Sequence, residues 1–356
     1  MTDWSKPFDA SYRIMRVDRS TLLETEQLET AITSGSSITR NIDTEVYESA
    51  SLKLVGDADL GRDLVRVYID ATQEDGASAS VALGTFLPEA PSREVSGELA
   101  EWSVNLSGRL AEVATDEFER PFIIPADANI VDEAASILRS CGLPVEADAS
   151  DAVLGCDWLV ATGSQDAPTN KLEVVNKLLS LAGFSTATTD PMGVAQLRRY
   201  REPEARASSW SFMECVGARF MSKATIEKDA SDIANVVVVV FSTQESETIG
   251  VAYDDDPVSP YSIPSLGRRR VKRYEYQASA TQSEADAKAE ELLRTQQSVI
   301  ERVQLSHVYT PASCGDAVSL SWPSAGLDAK YTIRTQTLQL GAGCLTKSEL
   351  RRFERR

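Results

Sequence analysis

The period of the apolar residues changes twice along this chain, and that change limits the folds open to it. Up to residue 118 the apolar side chains fall on every second position. Leu52 and Leu54 flank Lys53, Val65, Val67 and Ile69 alternate in "LVRVYID", and Trp102, Val104 and Leu106 alternate in "WSVNL". Such alternation puts one row of side chains on one face of a strand. Gly56, Gly61, Gly76, Gly84, Pro88 and Pro91 punctuate the runs. Short antiparallel strands at this spacing predict a barrel or a sandwich.

Between 119 and 205 the spacing becomes helical. The segments "NIVDEAASILRSCGL" from Asn129 and "NKLEVVNKLLSLAGF" from Asn170 align without gaps. Each opens on an Asn able to cap free helix N–H groups and carries an acid three residues on. Each stops at a glycine, Gly142 or Gly183, suited to the left-handed position after a helix. Helices are therefore predicted near 130–141 and 170–182, in an α/β domain inserted into β-structure. The polar stretch "REPEARASS" at 201–209 reads as its exit linker.

From 210 the β-pattern returns. The run "VVVVVF" at 236–241 has no alternation and reads as a strand buried on both faces. It is far too short to span a bilayer. A helix is expected over 283–300, with Ser283 and Asp286 as its capping pair and Ala285, Ala289, Leu292, Gln296 and Val299 on one stripe. In "KYTIRTQTLQLG" the apolar parity shifts between Ile333 and Leu338, which predicts a bulge. The expected domains are 1–118, 119–205 and 206–356, with 206–230 able to complete the first.

The formal charge of −18 is unevenly spread. Residues 1–120 hold 23 acids against 11 bases, residues 121–205 hold 12 against 6, and residues 206–356 hold 19 of each. An acidic surface repels phosphate, so stable nucleic-acid binding by the front of the chain is not expected. A negatively lined channel would still let DNA pass without sticking. The five cysteines are scattered, odd in number and form no CxxC pair, which fits reduced, mostly buried thiols. The opening "MTDWSKPFDASYRIM" has no apolar core of signal-peptide length, which argues against export by that route.

Chemistry-bearing motifs are scarce. The sequence holds no GxSxG, HExxH or P-loop, and its one histidine, His307, sits in a strand-like alternation that suits a structural role. The acids of "YDDDPVSP" lack the spacing of a calcium loop and read as a solvated turn. The basic run "GRRRVKR" at 267–273 supplies candidate partner-docking residues: Arg268, Arg269, Arg270, Lys272 and Arg273, on a loop and strand edge suited to an acidic neighbour. The closing "RRFERR" reads as a frayed or docking tail. No catalytic, cofactor-binding or metal-binding residue is nominated.

The order of segments resembles the baseplate hub, or tail-tip hub, proteins of tailed phages and prophages. The resemblance spans nearly the whole chain. It runs through "SSITRNIDTEVYESASLKLVG", "LGTFLPEAPSRE", "TNKLEVVNKLLSLAGFSTATTDPMGVAQLRRYREP", "DIANVVVVVF", "SCGDAVSLSW" and "KYTIRTQTLQLGAG". It implies an α+β, mainly β fold, with two tail-tube-like antiparallel β-barrel domains and a small inserted LysM-like α/β domain. It also implies a homotrimeric structural component of the virion, assembled in the host cytoplasm. Such a trimer would join the tail tube or distal tail protein to a central spike or fibre, beside the tape-measure protein, with DNA in transit through its channel. No membrane insertion by this chain alone and no enzyme activity is implied, since no appended lytic domain is seen. The alternative is a tail component that grips cell-wall carbohydrate through the insert. Its aromatic residues, Phe122, Trp158, Phe184 and Tyr200, are few for that task.

Overall fold

A computed structural model of the chain describes residues 2–29, 31–55, 60–89, 92–96, 99–155, 157–160, 170–201, 205–229, 233–242, 247–259, 261–276, 281–296 and 299–354. The chain divides into two compact units, residues 1–223 with 305–350, and residues 224–304 with 351–356.

Eight strands open the first unit: β1 (Asp9–Val17), β2 (Glu24–Gln27), β3 (Ala31–Asn41), β4 (Glu48–Val55), β5 (Leu64–Thr72), β6 (Ser78–Pro88), β7 (Ser92–Ser96) and β8 (Leu99–Gly108). They pair in the order β3-β4-β8-β6-β5-β1-β2, with β7 beside β8. The alternating residues do what their spacing demands. Leu52, Leu54, Val65, Val67, Ile69, Val104 and Leu106 are all buried in one apolar cluster. The β5–β6 ladder shifts register after Val67, which pairs with Gly84 while Tyr68 pairs with Ala82. Leu83 is thus the extra residue of a bulge, and its carbonyl is left free of the ladder.

The segment that follows carries α1 (Ala111–Ala114), β9 (Phe122–Ile124), α2 (Ile130–Ser140), β10 (Val145–Ala147), β11 (Trp158–Val160), α3 (Lys171–Leu181), β12 (Thr188–Thr189) and β13 (Ala195–Leu197). Asn129 caps α2 by accepting from the Val131 and Asp132 N–H groups, and Asn170 caps α3 by accepting from Glu173 N–H. Gly142 and Gly183 take φ of 83° and 71° just past the two helices. Leu138, Leu172, Val175, Leu178 and Leu179 are sealed between the helices and short strands β10-β13-β12. Tyr47, Leu110 and Val113 complete the same cluster, so this core is continuous with the preceding β-region.

The later strands are β14 (Trp210–Met213), β15 (Phe220–Asp229), β16 (Val236–Ser242), β17 (Glu247–Tyr253), β18 (Val271–Tyr276), β19 (Val299–His307), β20 (Ala317–Trp322), β21 (Leu327–Gln339) and β22 (Thr346–Glu354). Two helices, α4 (Ile263–Leu266) and α5 (Gln282–Gln296), lie among them. In the first unit β20 pairs with β14 and β21, and β21 pairs with β3, so strands from both halves of the sequence share one sheet. Two separate closed barrels were expected. Among the described residues the pairing order is an open path, and no closed barrel is found. Strand β21 serves three partners, β20, β22 and β3. Its residues 327–332 pair with β20, and 335–339 pair with β3. That hand-over explains the parity shift after Ile333: both ladders are regular, and a change of partner stands where a bulge was expected.

In the second unit β16 is the central strand of β17-β16-β18, antiparallel to β17 and parallel to β18. Val237 and Val239 face α5 with Ala252, Ala289 and Leu293. Val236 and Val240 are also buried, on the opposite face, and Val238 is half-buried. A Cβ on Gly250 would lie 2.1 Å from the Ala285 carbonyl oxygen, so only glycine lets the helix approach β17 this closely. Helix α5 ends at Gln296 and β19 begins at Val299, earlier than the expected end at 300. Its capping box is Thr281 with Glu284, two residues before the expected pair: Glu284 Oε2 accepts from Thr281 N–H at 2.7 Å, and Thr281 Oγ1 from Glu284 N–H at 3.3 Å. The longer Glu side chain reaches back to the cap, as Asp286 would not. The arginines of the closing segment belong in part to β22, where Arg352 pairs with the buried Glu301, instead of to a frayed tail.

Candidate functional site

Two features stand out: a buried polar joint in the first unit, and the basic segment of the second. The joint forms where the β12–β13 hairpin turn, Asp190–Gly193, meets the strands of the front β-region. Asp190 Oδ1 accepts from the Met192 and Val194 N–H groups, and Gly193 N–H donates to Asp190 O, at φ +85°. Pro191 presets the second position of this turn. The turn then offers its main-chain carbonyls to side chains that rarely go inside. Arg66 donates from Nε to Thr85 Oγ1 (2.8 Å) and from Nη2 to Met192 O (3.1 Å), and Thr85 in turn donates to Pro191 O (2.9 Å). Arg109 donates to Gly193 O and Gly142 O, and pairs with Glu112 at 3.4 Å. Arg66 and Arg109 are 2% and 1% exposed, and each has the partners a buried cation requires.

A third arginine works beside them. Arg40 donates to Leu83 O, the carbonyl freed by the β6 bulge, and stands 3.8 Å from Glu48. Glu48 accepts from the Thr189 hydroxyl at 2.8 Å. Burial pushes the Glu48 carboxyl up to about 7, while Arg40 pulls it the other way.

The basic segment follows α4, which Gly267 closes at φ +62°. One buried side chain staples it. Asn235 donates to Arg268 O (2.9 Å) and Tyr261 O (3.2 Å), and accepts from Arg270 N–H (2.6 Å). Arg268, Arg269 and Arg273 are exposed, while Arg270 and Lys272 are half-buried. The Arg269 guanidinium lies 5.5 Å from the Tyr253 ring centroid, and Lys272 Nζ lies 5.9 Å from that of Tyr274. Successive residues of β18 point to opposite faces, so Lys272, on the α5 side, and Arg273 cannot act on one ligand. Sequence spacing had grouped five cations; the fold exposes three of them.

His307 offers no site for substrate. Its Nδ1 donates to Val308 O at 2.7 Å, its Nε2 accepts from the Ser348 hydroxyl at 2.8 Å, and both side chains are sealed. Burial lowers its pKa to about 4, so the ring is neutral. In "DDDP" the Asp254 carboxylate accepts from Ser259 Oγ and Asp256 N–H, which makes it a turn-former. Of the insert's aromatic residues only Tyr200 is largely exposed, and Lys177 lies 5.4 Å from the Trp158 ring.

In sequence the chain matches no protein-family model and no curated relative. In structure it is similar to the tail protein of Neisseria meningitidis MC58, with a TM-score of 0.67 over 97% of both chains at 13% identity. It is similar to the 43 kDa tail protein of prophage MuSo2 from Shewanella oneidensis, with a TM-score of 0.65 over 96% of this chain and 98% of that one, at 11% identity. A chain of the lidded Francisella PdpA–VgrG complex matches 99% of this chain over 55% of its own length, with a TM-score of 0.59 and 7% identity. The chain therefore has the fold of prophage tail proteins, over nearly its whole length.

Proposed function

We infer that the chain is a structural component of a phage-type tail, placed at its tip or baseplate. The observation that carries this is the end-to-end likeness to a tail protein, 97% of both chains. The more particular reading is a homotrimeric hub between the tail tube, or distal tail protein, and a central spike or fibre, close to the tape-measure protein. The likeness to a chain of a PdpA–VgrG complex supports partners of spike type. In this reading the two β-regions act as tube-like segments whose ring closes only on assembly, so that three chains present six segments to a six-fold tube. The insert is LysM-like and serves as scaffold. Acidic residues from the first 120 positions line an open channel through which DNA passes. Of the basic positions Arg268, Arg269, Arg270, Lys272 and Arg273, the exposed Arg268, Arg269 and Arg273 dock an acidic neighbour, while Lys272 lies on the other face of β18. The product resides in the virion after assembly in the host cytoplasm, and no reaction is assigned to it.

Native mass spectrometry of the full chain, alone and with tail-tube subunits, tests this reading. A trimer in either sample is the expected result. A monomer in both samples would overturn the hub.

A further inference from the structure

One cleft of the first unit runs against the charge of the chain. It measures about 610 Å³ and lies between the inserted segment, the turn at Cys314–Asp316 and strand β21. Arg198, Arg199, Arg201, Arg206 and Arg334 line it, against only two carboxylates, Asp148 and Asp316. Four of these arginines fall within residues 198–206, and Arg334 joins them from β21.

Several of these cations are already fixed in place. Arg198 is held by Glu146 (2.9 Å) and Asp148 (3.1 Å), and Arg199 donates twice to Ala149 O, at 2.8 and 3.2 Å. Arg206 bridges Gly315 O and Thr332 Oγ1, and Arg334 pairs with Asp43. Yet the Nε groups of Arg206 and Arg334 are buried donors without a hydrogen-bond partner. Arg201 is exposed on the same lining, and its charge helps to lower the Asp148 pKa. Positioned guanidinium groups around one cleft are pre-organised for planar anions, which they grip through paired N–H groups.

We propose that this cleft is a binding site for a short acidic segment of a partner protein, its carboxylates seated among Arg201, Arg206 and Arg334. The volume falls in the roughly 300–1,000 Å³ span of ligand clefts. Ser185, Thr186 and Thr188 on the lining supply hydroxyls that a peptide main chain can use. A polyphosphate fits less well, because it would pack more negative charge per unit length than a peptide against Asp148 and Asp316 on the lining. The site is distinct from the basic segment at 268–273, and its chemistry does not depend on the trimeric hub.

Fluorescence anisotropy with fluorescein-labelled octaglutamate and the full chain tests the assignment. Binding that weakens with added salt is expected, and Arg201→Gln and Arg334→Gln should each weaken it about tenfold, the loss of one charge-assisted contact. Arg201 is exposed, so its variant tests the site even if Arg334→Gln unfolds. A control in which Arg268, Arg269 and Arg273 are all changed to Gln should bind as well as the parent. No binding by the parent, or equal binding by Arg201→Gln, would overturn the site. Displacement of the peptide by equimolar inorganic phosphate, or by an oligothymidylate of equal charge, would overturn the peptide assignment.

Discussion

The Thr189 hydroxyl donates to Glu48 Oε1 over 2.8 Å, at a point where both side chains are closed to solvent. The contact joins β12 of the inserted segment to β4 of the sheet. Thr189→Val keeps the shape and removes the donor, so Glu48 loses a partner inside the protein. Urea unfolding should show a loss of about 1–3 kcal/mol.

The same acid gives the joint a pH dependence. Burial pushes Glu48 up to about 7 from an ordinary 4.5. The folded state therefore keeps a proton that the unfolded chain sheds above pH 4.5. Its contribution to stability is full below 4.5, declines as pH rises towards 7, and changes no further above that. Subtracting the unfolding free energies of Glu48→Gln from those of the parent, at intervals from pH 4 to 8, isolates this slope. A flat difference would refute it.

His307 acts in the opposite direction. Its pKa falls to about 4 from 6.5 because the ring is buried. The unfolded chain takes up a proton below pH 6.5 that the folded chain refuses until about 4. Stability from this residue is full above 6.5 and is lost as pH falls through that window. The loss amounts to roughly 3 kcal/mol at pH 4, and His307→Gln should remove most of the slope.

Two valines one position apart should differ sharply. Val239 is fully buried against α5, whereas Val238 on the other face is half-buried. Val239→Asp places a charge in the apolar contact with the helix and should unfold the second unit, a cost of several kcal/mol. Val238→Asp should be milder. Circular dichroism melts of the two variants give the ranking directly.

Gly193→Ala tests the turn that the arginines hold. Its φ of +85° disfavours a side chain, and a new Cβ would stand 2.9 Å from Arg109 Cδ and 3.2 Å from Thr85 Cβ. A loss of roughly 1–3 kcal/mol is expected. Faster amide exchange across residues 188–197 would locate the damage at the joint.

The parts of this fold visible in the sequence were those set by near neighbours. Asn129 and Asn170 cap helices through N–H groups two or three residues away, and Gly142 and Gly183 end them. Such signals are complete within one segment. The joint is not. Arginine is among the residues least often buried, so Arg40, Arg66 and Arg109 read as surface. Their partners lie far off in sequence: Met192 is 126 residues from Arg66. The "DPMG" stretch does announce a turn, but nothing local tells what it docks against. Ile333 shows the intermediate case. Its parity break was legible, while the change of partner behind it depends on β3, nearly 300 residues earlier. The cleft is only half legible: Arg198, Arg199, Arg201 and Arg206 are neighbours in sequence, but Arg334 meets them only in three dimensions.

Because Arg66, Thr85 and Arg109 take hold of the carbonyls of Pro191, Met192 and Gly193, the inserted segment is held at this turn by atoms that every amino acid possesses. The attachment therefore sets few conditions on the side chains of the piece attached. Beyond Thr189, Asp190 and the glycine, the hairpin can exchange residues, and the insert its outer surface, without loosening the grip. A fold fastened in this manner can outlast much of its spelling, and a tail protein at 13% identity has a similar fold.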